Sequence, residues 1–205
     1  YVLDTLADWE LGHVISELNS GRFFKKDAKR ISLKTVGFTK EPIHTMGGLT
    51  IMPDCLIDDI AVSETSVLLL PGANTWNDSK HEAILEKARE FLSLGAAVCA
   101  ICGATAALAD FGLLNNRSHT SNGAGFLEMV SPHYKADNNL ITAGSTGALL
   151  WAKQIIEHLG VFEANTLEAW YSYFSTGKPE YFFALMQTLP SGNGTRYITN
   201  NIQKQ

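Results

Sequence analysis

The chain has 205 residues, of which 45% are hydrophobic and 18% charged, a composition typical of one globular domain. Its formal net charge of −5 argues against nucleic acid as a partner, because binding to phosphates needs clustered Lys and Arg. No apolar run approaches the roughly 18 residues of a membrane span, and no signal peptide opens the sequence. The three cysteines do not make a disulfide framework, so we expect a cytoplasmic protein with no membrane partner.

Segments with the pattern of strands and segments with the pattern of helices alternate along the chain. This alternation predicts βαβ units around a largely parallel sheet, and hence an α/β fold. The predicted strands are residues 1–3, 31–38, 67–70, 97–102 and 140–142, with a hairpin over 43–46 and 49–52. Residues 1–3 are expected to end a first strand that begins before Tyr1.

Apolar residues at helical spacing predict helices over residues 9–18, 80–94 and 146–159, and Asp8 is the predicted N-cap of the first. The aromatic-rich residues 167–189 predict one or two further helices, broken near residues 177–179. We therefore expect a single domain over residues 1–190 and a polar C-terminal tail over residues 191–205.

The most informative feature is a strand-like apolar run that ends at Cys102 and is followed at once by small, helix-favouring residues. Such a passage from strand to helix needs small neighbours, which Ala100, Gly103 and Ala104 supply, and it projects the turn side chain above the sheet. The pattern is the cysteine counterpart of the nucleophile elbow. At the N-terminus of a helix the thiolate is favoured, so the sequence predicts a reactive Cys102.

Cys99 and Cys102 also form a C-x-x-C pair. In an extended strand their Cα atoms would lie about 10 Å apart, whereas a disulfide needs less than ~7 Å. A second C-x-x-C or a pair of histidines at zinc-binding spacing is missing from the sequence, so neither a redox pair nor a metal site is expected. We interpret Cys99 as a core residue and Cys55 as structural.

Four markers in the expected order give the chain a resemblance to the ThiJ/PfpI superfamily, within the class I glutamine amidotransferase-like fold. They are the acidic pair Asp8 and Glu10 after the first strand, a strand that ends at Pro71-Gly72, the elbow at Cys102, and the stretch 111–122. The resemblance covers residues 1–160. It implies a flavodoxin-like, three-layer α/β/α sandwich with a mostly parallel central sheet, and it implies a homodimer, which is common among family members.

The resemblance also assigns roles to individual residues. Cys102 matches the reactive cysteine of the family, and Glu10 matches the carboxyl group that contacts it. The backbone N–H groups of Gly72 and Gly103 are expected to form an oxyanion hole. Ala73, Asn74 and Asn122 are expected to line the pocket.

The histidines depart from the family pattern. Several branches have a histidine where this chain has Asn122, and the protease-like branch has one directly after the cysteine, where this chain has Gly103. In an extended segment His119 and Asn122 point to opposite faces, so His119 is no simple substitute. His13 lies three residues after Glu10 on the same predicted helix face. The usual transfer of a proton from cysteine to histidine is therefore in doubt.

Two functions remain open from the sequence. The first is a cofactor-independent hydrolase or lyase, in which Cys102 attacks a small carbonyl or amide substrate and Glu10 tunes the thiol or shuttles a proton. The second is a redox or stress sensor that acts through oxidation of Cys102. A binding module that keeps the fold and an inherited cysteine is a third possibility.

Overall fold

The computed structural model describes residues 1–122 and 134–189 of the chain. The strands are β1 Val36–Gly37, β2 Ile43–His44, β3 Thr50–Ile51, β4 Cys55–Leu56, β5 Val67–Leu70, β6 Ala97–Ile101, β7 Tyr134–Asp137 and β8 Leu140–Ala143. The helices are α1 Asp8–Ser20, α2 Glu82–Ser93, α3 Gly103–Asp110, α4 Ala148–Leu159, α5 Ala164–Thr176 and α6 Pro179–Gln187. None of the helices in these two ranges is long and apolar enough to cross a membrane.

The main sheet has the strand order β5-β6-β8-β7, in which β6 is parallel to both of its neighbours and β7 is antiparallel to β8. Residues 1–3 lie beside this sheet. The backbone N of Tyr1 donates to the carbonyl of Leu69 at 2.8 Å, and that of Val2 donates to Val36 at 2.8 Å. The N-terminal segment thereby connects β5 to the small parallel pair of β1 and β4.

Successive residues of a strand point to opposite faces of the sheet, so the buried apolar strands give it two apolar faces. Helices cover both of them. Val98 and Ala100 of β6 pack on one face, in the cluster that contains the apolar side of α2 and residues of α3. Cys99 and Ile101 pack on the other face, with residues of α1, α4 and α5. The fold is thus the expected flavodoxin-like α/β sandwich, with β6 fully buried at its centre.

The N-terminus of α1 differs from the prediction. The N-cap is Ala7, and Asp8 is the first helical residue. The carboxylate of Asp8 accepts a hydrogen bond from the backbone N–H of Gly47 at 2.6 Å, so it holds the hairpin instead of capping its own helix. The predicted hairpin is confirmed with shorter strands, β2 and β3, in which Ile43 pairs with Ile51.

The predicted strand over residues 31–38 is too long, since only β1 pairs, with β4. Just before β1, the backbone N–H of Thr35 donates to the side chain of Asp54 at 2.7 Å, which replaces a strand partner at that position. The break in the C-terminal segment is confirmed: α5 ends at Gly177, whose φ is 67°, and α6 begins at Pro179. The predicted polar tail, residues 191–205, lies outside the described residues.

Candidate active site

The turn between β6 and α3 is the predicted elbow. Cys102 has φ 58° and ψ −126°, a conformation that costs free energy in any residue other than glycine. The backbone N–H of Cys102 donates to Ala143 of β8 at 2.9 Å, which anchors the turn to the sheet. The side chain is partly buried, at the carboxyl end of the central strand, where ligands bind in open parallel sheets.

The turn is crowded by the loop that follows β5. A Cβ atom on Gly72 would lie 2.7 Å from the Cβ of Cys102 and 2.7 Å from Oε2 of Glu10. A Cβ atom on Gly103 would lie 3.0 Å from the carbonyl oxygen of Ala73. Gly72 is therefore required by the close approach of its backbone to the thiol and to Glu10, whereas Gly103 has a tight contact with the backbone of Ala73.

Glu10 lies on the first turn of α1 with its side chain completely buried, at 0% exposure. Its Oε2 accepts a hydrogen bond from the N–H of Gly72 at 2.6 Å. Its Oε1 is buried and has no hydrogen-bond partner within residues 1–122 or 134–189. The carboxyl group lies close to the thiol, since a Cβ atom on Gly72 would be 2.7 Å from Oε2 of Glu10 and 2.9 Å from Sγ of Cys102. The structure thus brings Glu10 and Cys102 together, and their catalytic roles stay a prediction.

Both groups of this pair hold protons more tightly than usual. Burial raises the pKa of Glu10, against the opposing effect of the Gly72 N–H and the Cys102 thiol. Burial also raises the pKa of Cys102, and the negative charge of Glu10 adds to this effect. The amide of Asn122 and the N–H of Gly103 act in the opposite direction. Burial and the charge of Glu10 thus oppose the effect of the helix N-terminus on the thiol.

Asn122 is brought to the sulfur by the segment of residues 118–122, which follows α3. Its Nδ2 donates to Sγ of Cys102 at 3.0 Å, and its Oδ1 accepts the N–H of Ser145 at 2.6 Å. The second contact fixes which end of the amide is the donor, since a backbone N–H can bond only to the oxygen. Asn122 therefore presents an N–H group to the sulfur and supplies no general base.

The two glycines behave differently from one another. The N–H of Gly103 faces the sulfur, where it favours the thiolate. The N–H of Gly72 was expected to face a substrate oxygen, and it donates to Glu10 instead. Ala73 lies against Gly103 through its backbone, and Asn74 is exposed, with its backbone N–H bound to the hydroxyl of Thr5 at 2.8 Å.

No histidine among residues 1–122 and 134–189 forms a hydrogen bond with the thiol, whose amide partner is Asn122. His13 packs edge-on against Phe174, with ring centroids 5.1 Å apart, and burial lowers its pKa. His119 contacts the carbonyl of Arg117 through Nδ1 at 2.7 Å. His81 is buried and bonds to the hydroxyl of Tyr1 at 2.8 Å, as a structural residue. His133 lies outside the described residues.

The other two cysteines take no part in the site. Cys99 is fully buried, and burial raises its pKa strongly. Cys55 is only partly buried and lies on β4. All three cysteines are free, so Cys99 and Cys102 do not form a disulfide. Within residues 1–122 and 134–189 no cluster of three or more His, Cys, Asp or Glu side chains is arranged to hold a metal ion.

A cavity of about 840 Å³ lies elsewhere in the molecule, lined by residues 28–36, by the first residues of β5 and by Tyr1. Because β5 and β6 are parallel, the starting end of β5 is opposite the edge of the sheet that carries Cys102. Cys102, Glu10 and Asn122 do not line this cavity, and it is not part of the site.

Sequence reasoning missed the residues that support Asn122. Ser145 comes directly after Gly144 at the end of β8 and supplies the N–H that orients the amide. Thr105 and Ser121 form a buried pair of hydroxyl groups under the elbow, 2.6 Å apart. The only available signal was the concentration of small polar residues after the predicted strand 140–142 and around the elbow.

The fold and the site together define an α/β sandwich protein with a cysteine elbow and a buried carboxyl partner. Residues 1–158 match the model of the DJ-1/PfpI family, and the chain belongs to this family, as its resemblance to ThiJ/PfpI proteins predicted. It is 45% identical over 200 residues to YoaZ of Bacillus subtilis strain 168, named an uncharacterized protease, with 92% of this chain and 95% of YoaZ covered.

Two further similarities agree with this assignment. YdeA of the same organism, also named an uncharacterized protease, is 31% identical over 180 residues, which covers 82% of this chain and 85% of YdeA. The crystal structure of a ThiJ/PfpI family protein from Bacillus anthracis is 43% identical and superposes with a TM-score of 0.86. That match covers 92% of this chain and 94% of the other.

Proposed function

We propose that the protein is a cysteine-dependent, cofactor-independent hydrolase or lyase that acts on a small carbonyl or amide substrate. The observation that carries this proposal is the close approach of the Cys102 thiol to the buried carboxyl group of Glu10. A Cβ atom on Gly72 would lie 2.9 Å from Sγ of Cys102 and 2.7 Å from Oε2 of Glu10. A nucleophile with an adjacent proton acceptor is the arrangement that covalent catalysis needs. The missing histidine is thereby replaced by a carboxylate whose pKa burial has raised toward the working range.

In the proposed reaction, Sγ of Cys102 attacks the carbonyl carbon while its proton passes to the carboxylate of Glu10. The carbonyl π electrons move to the oxygen, which the N–H of Gly103 stabilises together with the amide of Asn122. With an amide, Glu10 then returns the proton to the departing nitrogen, and water hydrolyses the thioester. With a glyoxal, the proton goes to the oxyanion instead, which gives a hemithioacetal. Glu10 then moves the carbinol proton to the neighbouring carbonyl carbon through an enediol, and water hydrolyses the resulting thioester to a 2-hydroxy acid and the free thiol.

A small substrate suits this site better than a polypeptide. The thiol is partly buried and Glu10 is wholly buried, so a small electrophile reaches the sulfur more readily than a folded chain does. Both Bacillus subtilis relatives are named uncharacterized proteases. In this chain a protease would have to work without a histidine base among the described residues, which makes peptide hydrolysis the less favoured reaction.

The alternative is a redox or stress sensor. Peroxide would oxidise the Cys102 thiolate to a sulfenate with release of water, and a second peroxide would give the sulfinate. The N–H groups of Asn122 and Gly103 face the sulfur and would bind the new oxygens. A protonated Glu10, favoured by its raised pKa, would donate a further hydrogen bond to them.

Turnover separates the two functions. We expect the purified protein to convert at least one compound in a panel of glyoxals, other small carbonyls and amides, and Cys102→Ser to abolish this conversion. Cys55→Ser, which changes the other partly exposed cysteine, is the matched control and should keep it. Absence of turnover, together with a gain of two oxygens located at Cys102 after mild peroxide, would support the sensor. If the wild type shows neither, both functions are excluded.

We also propose that the protein works as a homodimer without a resident cofactor. Four exposed apolar side chains lie on the β2–β3 hairpin, beside it or at the adjoining start of α1: Trp9, Met46, Leu49 and Met52. Residues 49–52 carry no charge, so like-charged copies of this acidic chain would meet there without direct repulsion. Exposed apolar surface of this kind marks interaction sites.

A further inference from the structure

Asn122 belongs to a segment without regular secondary structure, yet each of its last three described residues is held in place. The N–H of Thr120 donates to the hydroxyl of Thr142 on β8 at 2.9 Å. The hydroxyl of Ser121 lies 2.6 Å from that of Thr105 on α3. Asn122 itself bonds to Ser145. The segment is therefore fixed from two neighbouring elements before it reaches the thiol.

The direction of the hydrogen bonds in the hydroxyl pair follows from its surroundings. Oγ1 of Thr105 lies 2.6 Å from the carbonyl oxygen of Cys102, and a carbonyl can only accept. Thr105 therefore donates its single hydroxyl proton to Cys102. Ser121 must then donate to Thr105. The result is a chain of two hydrogen bonds from Ser121 through Thr105 to the backbone of the nucleophile.

These two hydrogen bonds connect the segment of Asn122 to Cys102, the two residues whose amide and sulfur are in contact. One end is the carbonyl of Cys102, and the other is the residue directly before Asn122. Thr105 is 0% exposed and Ser121 is 3% exposed, so water cannot replace either hydroxyl group without rearrangement of the turn. A buried hydroxyl without a partner is costly, which makes this geometry strongly preferred.

We propose that the Ser121–Thr105 hydroxyl pair is a positioning device that holds Asn122 against the sulfur and so sets the reactivity of Cys102. The inference rests on the proposed role of Cys102 as the reactive group. Neither hydroxyl touches the sulfur in the described contacts. Their effect passes through Asn122, whose amide favours the thiolate.

The test measures alkylation of Cys102 by iodoacetamide as a function of pH, with peptide mapping to separate Cys102 from Cys55. We expect Ser121→Ala to raise the apparent pKa of Cys102 and to slow alkylation at neutral pH by about fivefold, the effect of one hydrogen bond. Thr105→Val should act in the same direction. Thr105→Ser keeps the hydroxyl group and should retain the wild-type rate.

A double-mutant cycle identifies the route of the effect. Asn122→Ala should slow alkylation at least as much as Ser121→Ala, and the double variant should be no slower than Asn122→Ala alone. Thr166→Val, which alters a buried threonine on α5, is the control and should leave the rate unchanged. An unchanged rate in Ser121→Ala, or a further loss in the double variant, would overturn the inference. If wild-type Cys102 does not react at all, it is the proposed function that fails.

Discussion

At Gly72 the site has no room for a side chain. We expect Gly72→Ala to destabilise the fold by about 1–3 kcal/mol, because its Cβ would lie 2.7 Å from the Cβ of Cys102. The same displacement should separate Glu10 from the thiol and abolish turnover. Gly12→Ala is the matched control, since a Cβ there meets nothing within 4 Å. In mid-helix that change should stabilise α1 by roughly 0.5–1 kcal/mol.

Chemical denaturation and assay of both variants check this prediction. The two alanines should change the free energy of unfolding in opposite directions. Equal effects, or an active Gly72→Ala protein, would show that the loop after β5 yields and that the close approach is not required.

Glu10→Gln separates two roles of the carboxyl group: the effect of its charge on the pKa of Cys102, and its proposed role as proton acceptor in turnover. Loss of its negative charge should lower the pKa of Cys102 and speed alkylation at neutral pH, since that charge raises the thiol pKa. Turnover should nevertheless fall by at least about 100-fold, the typical contribution of a general base. The measurements are the pH profile of alkylation and kcat on the same substrate. Full turnover in Glu10→Gln would remove Glu10 from the proposed reaction.

The same variant also tests how the titration of Glu10 makes the stability of the fold depend on pH. Because the folded state raises the pKa of Glu10, the folded protein binds its proton more tightly than the unfolded chain, and stability falls as pH rises above about 4 toward the raised value. Glu10→Gln carries no such titration. Its melting temperature relative to wild type should therefore increase from acid to neutral pH, by about 2–4 °C for each kcal/mol. A constant difference across this range would contradict the raised pKa.

Among the elements, the hairpin of β2 and β3 is held chiefly by the residues that lead into α1. The N–H of Met46 donates to Leu6 at 2.8 Å, and the N–H of Gly47 donates to Asp8. Hydrogen bonds from the side chain of Thr45 and from Gly47 lower the pKa of Asp8. The hairpin is thus bound to the same helix turn that carries Glu10.

Asp8→Ala should loosen this element. We expect faster hydrogen exchange at the amide of Gly47, and a loss of stability below about 1 kcal/mol because the carboxylate is partly exposed. Because folding lowers the pKa of Asp8, its stabilising effect is fully present at pH values above the ordinary carboxyl pKa. That effect should disappear as the pH falls below about 4. Asp27→Ala, which removes another exposed carboxylate, is the control and should leave exchange at Gly47 unchanged.

Elements with strong local patterns could be predicted from the sequence, and short paired segments could not. The run that ends at Cys102, the helix after it and the strand Val67–Leu70 follow from apolar periodicity and small residues alone. β1 is short because Asp54 binds Thr35, a contact between residues distant in sequence. The failure of Asp8 to cap α1 has the same cause, since Asp8 binds the N–H of Gly47, which only the folded hairpin places within its reach.

The site was predictable to a similar extent. Cys102 could be identified because a strand end followed by small residues fixes where its side chain goes, and Glu10 was assigned through the resemblance to the ThiJ/PfpI superfamily. The hydrogen bond from the N–H of Gly72 to Glu10 could not be predicted, since it depends on how closely the loop after β5 approaches helix α1. The support of Asn122 by Ser145 and Ser121 depends equally on tertiary packing that no local pattern encodes.

For the whole molecule, the exposed apolar side chains of the hairpin give a test of assembly. Leu49 is 62% exposed and Met52 is 61% exposed, and burial of such surface in a symmetric contact is the usual basis of a homodimer. Light scattering after gel filtration should give twice the mass of the chain at micromolar concentration. Leu49→Lys should shift the protein toward monomer, because each contact would bury a charge from both copies.

Leu94→Lys is the matched control for this change. Leu94 is 67% exposed, and it follows the end of α2, away from the hairpin. That variant should stay dimeric and as stable as the wild type. A monomeric wild type at all concentrations, or equal dissociation by both lysines, would contradict the hairpin interface. Since the hairpin is bound to the turn that carries Glu10, a dimer through this face should also slow exchange at Gly47 as the protein concentration rises.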